Sequence, residues 1–153
     1  MTRDSSVDRR AFLVAGLGAA AVGAGVRKAE AAEWTAAEKA NVQIVNDFCA
    51  AWSRRDVAKI VAPFADASTY RMTETAEPVK GREAITARVK TFVDRVTRFE
   101  VLDTYAKGPM VVNERIDYFS GGPIKSWRGV GVFFLKDGQI VEWHDYTISM
   151  DRT

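Results

Sequence analysis

The sequence predicts an α+β domain in which a cone-shaped, curved and mostly antiparallel sheet wraps around about three N-terminal helices. Two observations lead to this class. Apolar residues recur at helical spacing in the first part of the folded region, and its second part alternates as strands do, with glycine-containing turns between the strands. A chain of 153 residues suffices for one such domain. A sheet that wraps around helices leaves a concave face, where pockets form.

Residues 1–31 are predicted to be an export signal, and residues 32–153 to be the folded domain. Arg9-Arg10 precedes an uncharged run, residues 11–26, that is rich in Ala and Gly and shorter than the ~20 apolar residues that span a bilayer. The small-x-small sequence Ala29-Glu30-Ala31 follows, as at a cleavage site. These features resemble a twin-arginine signal, which implies recognition by the twin-arginine export machinery and a periplasmic or secreted protein. A retained membrane anchor and a cytoplasmic protein with a frayed N-terminal tail are the alternatives.

Charge and cysteine content exclude several classes of function. Residues 1–31 hold five of the 22 basic and three of the 20 acidic residues, which leaves 17 of each for the domain. The domain is therefore neutral, and nothing in its charge suggests nucleic-acid binding, which needs a basic stripe or patch. Cys49 is the only cysteine, so no intrachain disulfide and no cysteine-based zinc site can form. We expect Cys49 to be a small core residue on a helix.

The first helix is predicted over residues 36–53. Thr35 and Glu38 form a capping-box pattern at its start. Apolar residues then recur with the period of an amphipathic helix. These residues are Ile44, Val45, Phe48, Cys49 and Trp52.

Two shorter helices and a strand are predicted next. Asp56 can cap a helix that ends by Val61, because Pro63 cannot continue it. Residues 67–72 are predicted to form a short strand. Gly81 precedes a third helix with a long apolar side. That side carries Ile85, Val89, Phe92, Val93 and Val96.

Four strands are predicted to complete the domain, over residues 98–106, 110–119, 126–136 and 139–148. Glycine-containing turns separate them. Asp137-Gly138 lies between two apolar runs and is the strongest short-range signal for a β-hairpin.

Charged residues lie on a strand face that should point inward. Successive side chains of a strand alternate between faces, so Arg115 and Asp117 share one face with Asn113. On the last strand, Asp145 shares its face with Val141 and Trp143, which are expected to point into the domain. If both faces border one cavity, a single guanidinium can bridge the two carboxylates.

Such a trio has acid–base character. Desolvation and the proximity of two carboxylates favour the neutral form of one carboxyl, and Arg115 favours the charged form of the other. An acid and a base then coexist at neutral pH, as general acid–base catalysis requires. An ordinary buried salt bridge and a solvated strand face are the alternatives.

Four segments, residues 112–117, 131–133, 137–140 and 143–146, resemble the limonene-1,2-epoxide hydrolase family. That family has the nuclear-transport-factor-2-like fold, also called SnoaL-like or ketosteroid isomerase-like. The similarity extends from about Ala40 to Ile148. The fold by itself hosts isomerases, cyclases, dehydratases and binding proteins, so it does not define an activity.

The resemblance implies one-step hydrolysis of an epoxide without a covalent intermediate. Asp117 would protonate the epoxide oxygen, Asp145 would deprotonate water, and Arg115 would bridge the two carboxyls. The family positions its water with a tyrosine and an asparagine. Tyr70 matches the tyrosine, but Met72 occupies the asparagine position and cannot hold water in the same way.

The pocket itself is expected to be apolar, and neither a metal nor a cofactor is expected. A cation would be repelled by the arginine between the two carboxylates, and the single histidine, His144, is turned away from Asp145 by strand alternation. We expect His144 to lie at the surface or in a dimer interface. The predicted pocket walls are Phe64, Met72, Phe92, Phe133 and Trp143.

The leading functional hypothesis is a hydrolase for small lipophilic epoxides. A non-catalytic protein that binds an apolar small molecule, and an isomerase or cyclase of the same fold, are the alternatives. A homodimer is also predicted, because large residues such as Tyr118 and Phe134 would otherwise face water on the outer side of the sheet.

Overall fold

The structure is a computed structural model that describes residues 33–152. The predicted export signal, residues 1–31, lies outside the described residues. The α+β prediction is confirmed: the chain forms three α-helices and a six-stranded, mostly antiparallel sheet. The elements are α1 (Ala36–Ser53), α2 (Val57–Val61), β1 (Phe64–Arg71), β2 (Val79–Lys80), α3 (Arg82–Lys90), a 3₁₀ turn (Val93–Arg95), β3 (Val96–Lys107), β4 (Met110–Phe119), β5 (Ile124–Lys136) and β6 (Gln139–Arg152).

Local hydrogen bonds define where α1 and α2 begin. The Thr35 N–H donates to Glu38 Oε2 at 2.8 Å, and the Glu38 N–H donates to Thr35 Oγ1 at 3.2 Å, which is the predicted capping box. The Asp56 side chain accepts from the Lys59 N–H at 3.1 Å. Both helices therefore occupy the predicted residues. No helix in the described part of the chain combines the length and the hydropathy needed to cross a bilayer.

The third helix is shorter than predicted. α3 ends at Lys90, the chain then forms the 3₁₀ turn, and Val96 opens β3 instead of continuing the helix. Phe92 has a non-helical backbone (φ −141°, ψ −5°), which breaks the helix, and Val93 and Val96 are nevertheless buried. The apolar period extends past the helix because it marks buried positions, and Val93 and Val96 are buried although they lie outside the helix.

The strand order is β2-β1-β6-β5-β4-β3. The predicted four-strand meander is present as β3 to β6, and its last turn has positive φ at Asp137 (51°) and Gly138 (74°), as a tight hairpin requires. β1 pairs in parallel with β6, and the two-residue strand β2 pairs with β1. The sequence did not predict these two pairings.

A β-bulge near the start of β6 corrects one prediction. Leu135 pairs with Ile140 and Phe134 pairs with Glu142, so Val141 is an extra residue in β6. Ile140, not Val141, is therefore fully buried on the inner side with Trp143. The bulge sets the alternation that turns Trp143 and Asp145 inward.

An aromatic cluster joins α1 to the inner face of the sheet. The ring of Phe48 contacts Phe64, Phe133 and Trp143 edge-on, with centroids 5.7, 5.6 and 4.9 Å away. Cys49, the next residue of α1, is buried in the same core, as predicted. α1 thereby forms the floor beneath the concave face.

Candidate functional site

One guanidinium joins carboxylates from two strands that are not neighbours. Arg115 on β4 donates from Nε to Asp117 Oδ1 at 3.0 Å and from Nη2 to Asp145 Oδ1 at 2.9 Å. All three residues are at most 5% exposed. The structure therefore brings together the three residues that strand alternation placed on inward faces.

Gly131 on β5 leaves room for the Arg115 side chain to reach from β4 to β6. β5 separates β4 from β6, and its Gly131 pairs with Asn113 on one side and with Asp145 on the other. A Cβ on Gly131 would overlap Arg115 Nη1 and lie 2.9 Å from Asn113 Oδ1. Only a residue without a side chain lets the Arg115 guanidinium cross β5 to Asp145.

Gly131→Ala should therefore destabilise the fold by about 1–3 kcal/mol, because the added methyl displaces a buried ion pair in a close-packed interior. Urea unfolding followed by tryptophan fluorescence measures the loss. Val130→Ala, at the adjacent position of β5 on the opposite face, is the matched control and should cost less. Equal stability of Gly131→Ala and the parent protein would show that Arg115 has room to move.

Other groups complete the surroundings of the guanidinium. Nη1 donates to Asn113 Oδ1 at 3.3 Å, and Asn113 Nδ2 donates to Cys49 Sγ at 3.3 Å. Arg115 Cζ also lies 5.0 Å from the ring centroid of Trp127 and 5.2 Å from that of Phe99. Asn113 was not predicted as a site residue, although its position two before Arg115 on the same strand face was the available signal.

The hydrogen bonds of the two carboxyls differ. Desolvation raises the pKa of Asp117 to about 7, against the opposing effect of the Arg115 charge. Desolvation also raises the pKa of Asp145, but Asp145 Oδ1 accepts two hydrogen bonds, from Arg115 and from Trp143 Nε1 at 2.8 Å. Two donors stabilise the charged form better than one, so Asp145 is favoured as the anion and Asp117 as the neutral acid.

Each carboxyl keeps one oxygen available. Arg115 and Trp143 bind only the Oδ1 atoms, and the Oδ2 atoms of Asp117 and Asp145 have no hydrogen-bond partner among residues 33–152. Both residues line the main cavity. One proton donor and one proton acceptor therefore face the same space.

Tyr70 on β1 lies beside this pair. Its ring stacks on Trp143 with centroids 3.9 Å apart, because the parallel pairing of β1 with β6 places these residues side by side. Desolvation raises the pKa of Tyr70 well above its ordinary value, so the hydroxyl stays protonated. That hydroxyl makes no hydrogen bond to another residue in the described region, which leaves it able to bind a water or a ligand.

The cavity has a volume of about 320 Å³ and is partly open to solvent. Met72, Phe92 and Trp143 line it, as predicted. The expectation was wrong for Phe64 and Phe133: both are fully buried and pack in the core behind Trp143. The lining residues are Tyr70, Met72, Thr73, Arg88, Thr91, Phe92, Arg95, Phe99, Arg115, Asp117, Phe119, Ile124, Trp127, Trp143, Asp145 and Met150.

Met72 lies on the cavity lining, and His144 lies outside it. Met72 follows the last residue of β1 and is 40% exposed at the cavity mouth. His144 Nε2 lies 3.0 Å from Glu142 Oε2, and His144 is not among the cavity-lining residues. Among residues 33–152, no group of three His, Cys, Asp or Glu side chains is placed to hold a metal ion.

A curved, mostly antiparallel sheet with three helices is the arrangement of the nuclear-transport-factor-2-like class. Residues 45–143 match the SnoaL-like domain family. The chain belongs to that family.

Solved structures agree with this class. An LEH-like epoxide hydrolase from M. tuberculosis is 25% identical with a TM-score of 0.64, and the match covers 75% of this chain and 85% of that one. RV0760c from Mycobacterium tuberculosis has a TM-score of 0.69 at 15% identity over 79% of this chain and 100% of its own. Bal32a, from a soil-derived mobile gene cassette, has a TM-score of 0.65 at 18% identity over 73% and 92%. The last two show the fold alone.

Proposed function

We propose that this protein is a hydrolase that opens small lipophilic epoxides to diols with an activated water. The observation that carries the proposal is the bridge: Arg115 binds one oxygen of Asp117 and one of Asp145, and the other oxygen of each carboxyl is free in one cavity. The similarity to an LEH-like epoxide hydrolase at 25% identity supports the same chemistry.

In the proposed reaction, Asp145 Oδ2 takes a proton from a water held with the help of the Tyr70 hydroxyl. The water oxygen attacks one epoxide carbon, the bond from that carbon to the epoxide oxygen breaks, and Asp117 protonates the departing oxygen. The product is a diol that contains both oxygens. A proton passes from Asp145 back to Asp117 before the next turnover, and Arg115 stays charged because the two carboxylates outweigh the effect of its desolvation.

The direct test is incubation of the mature protein with a panel of aliphatic and terpene epoxides, with diol formation measured by mass spectrometry. Labelled water in a single turnover should place the label in the diol, because no covalent intermediate forms. Absence of diol from every epoxide in the panel would overturn the proposal.

One observation favours a second candidate, a non-catalytic binder of apolar molecules. Met72 stands where the family carries an asparagine, and its thioether is a weak hydrogen-bond acceptor that cannot donate. On this reading the cavity binds its ligand but holds the water poorly. Ligand binding without turnover in the panel would favour it.

Met72→Asn should raise epoxide turnover by about tenfold, since an amide at the cavity mouth can donate to and accept from the attacking water. The measurement is kcat/KM for one neutral epoxide. Met72→Leu is the matched control, because it keeps an apolar side chain of similar volume and should leave turnover unchanged. An equal response of the two variants would show that Met72 has no part in holding water.

Turnover of a neutral epoxide should fall as the pH rises above about 7. Burial raises the pKa of Asp117 to about 7, and only its protonated form can donate to the epoxide oxygen. Below that pKa the acid is present, and above it kcat/KM should fall about tenfold per pH unit. The pH profile of kcat/KM measures this, and a profile that stays flat into the alkaline range would contradict the assignment of Asp117 as the acid.

A further inference from the structure

Two arginines border the cavity at a distance from the acid–base trio along the chain. Arg88 lies in the last turn of α3, and Arg95 lies in the 3₁₀ turn that follows. Both line the cavity that also contains Asp117 and Asp145. We refer to Arg88 and Arg95 as the cavity arginines.

The cavity arginines have no anionic partner. Neither forms an ion pair within the region that the structure describes, whereas Arg82 on the same helix pairs with Asp66 at 3.2 Å. Arg95 Nε is buried and has no hydrogen-bond partner, which is costly for a donor. Two positive charges without an anionic partner among the described residues therefore lie on the cavity lining.

The charged residues that line the cavity fall into a paired group and an unpaired group. The acidic lining residues are Asp117 and Asp145, and Arg115 neutralises one of their charges directly. No acidic lining residue compensates the cavity arginines.

This difference in charge would orient an elongated ligand. An anionic group is repelled from the anionic member of the acidic pair and attracted to the cavity arginines, and an apolar chain can lie along Phe92, Phe99 and Trp127, which line the same cavity. At roughly 30 Å³ per non-hydrogen atom, a volume of about 320 Å³ holds at least about ten such atoms. We propose that the ligand of this site is a medium-chain apolar molecule with a carboxylate that binds Arg88 and Arg95. The inference that the substrate is an epoxy acid rests in addition on the proposed hydrolase function.

The binding experiment is independent of catalysis. Decanoate and decanol are titrated into the protein, and quenching of Trp127 and Trp143 fluorescence gives the two dissociation constants. Decanoate should bind about tenfold more tightly than decanol, because charge-assisted hydrogen bonds are stronger than neutral ones. The preference should shrink in Arg88→Gln and Arg95→Gln and persist in Arg82→Gln, which removes the same charge from α3 outside the cavity.

The turnover experiment separates this inference from the proposed function. Epoxydecanoate and its methyl ester are compared by kcat/KM for diol formation, and the acid should be preferred about tenfold in the parent protein and not in Arg88→Gln. Arg88 is exposed, so this variant should fold normally. Equal binding of decanoate and decanol would overturn the inference whatever the turnover shows. A clear preference for decanoate with no diol from any epoxide would support the carboxylate site and overturn the hydrolase.

Discussion

Asp117→Asn and Asp145→Asn should each reduce epoxide turnover by about 10²–10⁴-fold, the usual cost of losing a general acid or base. An amide is too weak an acid to protonate the opening oxygen and too weak a base to activate water. The substitutions change neither size nor shape, and Arg115 can still donate to the amide oxygen. Ligand binding should therefore remain within a few-fold of the parent protein.

The two losses should not add in the double variant, because Asp117 and Asp145 act as one unit around Arg115. Asp103→Asn is the matched control, since Asp103 is exposed on β3 and is not among the main-cavity lining residues. It should retain full turnover. Substantial activity in either Asp117→Asn or Asp145→Asn would assign the chemistry to other residues.

Arg115→Met should destabilise the protein by about 3–5 kcal/mol at neutral pH, because it leaves two buried carboxyls without their cation. Arg115 is fully buried and lowers the pKa of both carboxyls, so its loss forces them toward the protonated form. The unfolded chain releases these protons near its ordinary carboxyl pKa of ~3.9. The loss of stability should therefore be largest at neutral and alkaline pH and smaller in acid.

Urea denaturation at several pH values measures this effect. Arg98→Met is a control on β3, because Arg98 pairs with Glu100 at the surface and exposed pairs contribute little. Arg115→Met combined with Asp117→Asn and Asp145→Asn should recover part of the lost stability, since no charge then remains buried. A pH-independent loss in Arg115→Met would show that the packing of the side chain, and not its charge, stabilises the site.

Several features were determined by the sequence itself because they depend on neighbouring residues. The capping box at Thr35, the Asp56 cap and the Asp137-Gly138 hairpin each involve groups within a few positions of one another. Alternation along β4 placed Arg115 and Asp117 on one face for the same reason. These signals sufficed for the α+β class and for the members of the buried trio.

Only the tertiary structure decided how these parts meet, because the deciding contacts join residues that are distant in the chain. The bulge at Val141 turns Trp143 and Asp145 inward, and Gly131 leaves the gap through which Arg115 reaches Asp145. Arg88 lies near the end of α3 and Arg95 lies in the 3₁₀ turn after it, and both line the same cavity as the trio. Hydrophobic periodicity indicates which residues are buried. It does not show whether a buried residue lies in a helix, a turn or a strand, because all three contain buried residues. The sequence therefore identified the chemical groups of the site, and packing across the sheet set their geometry.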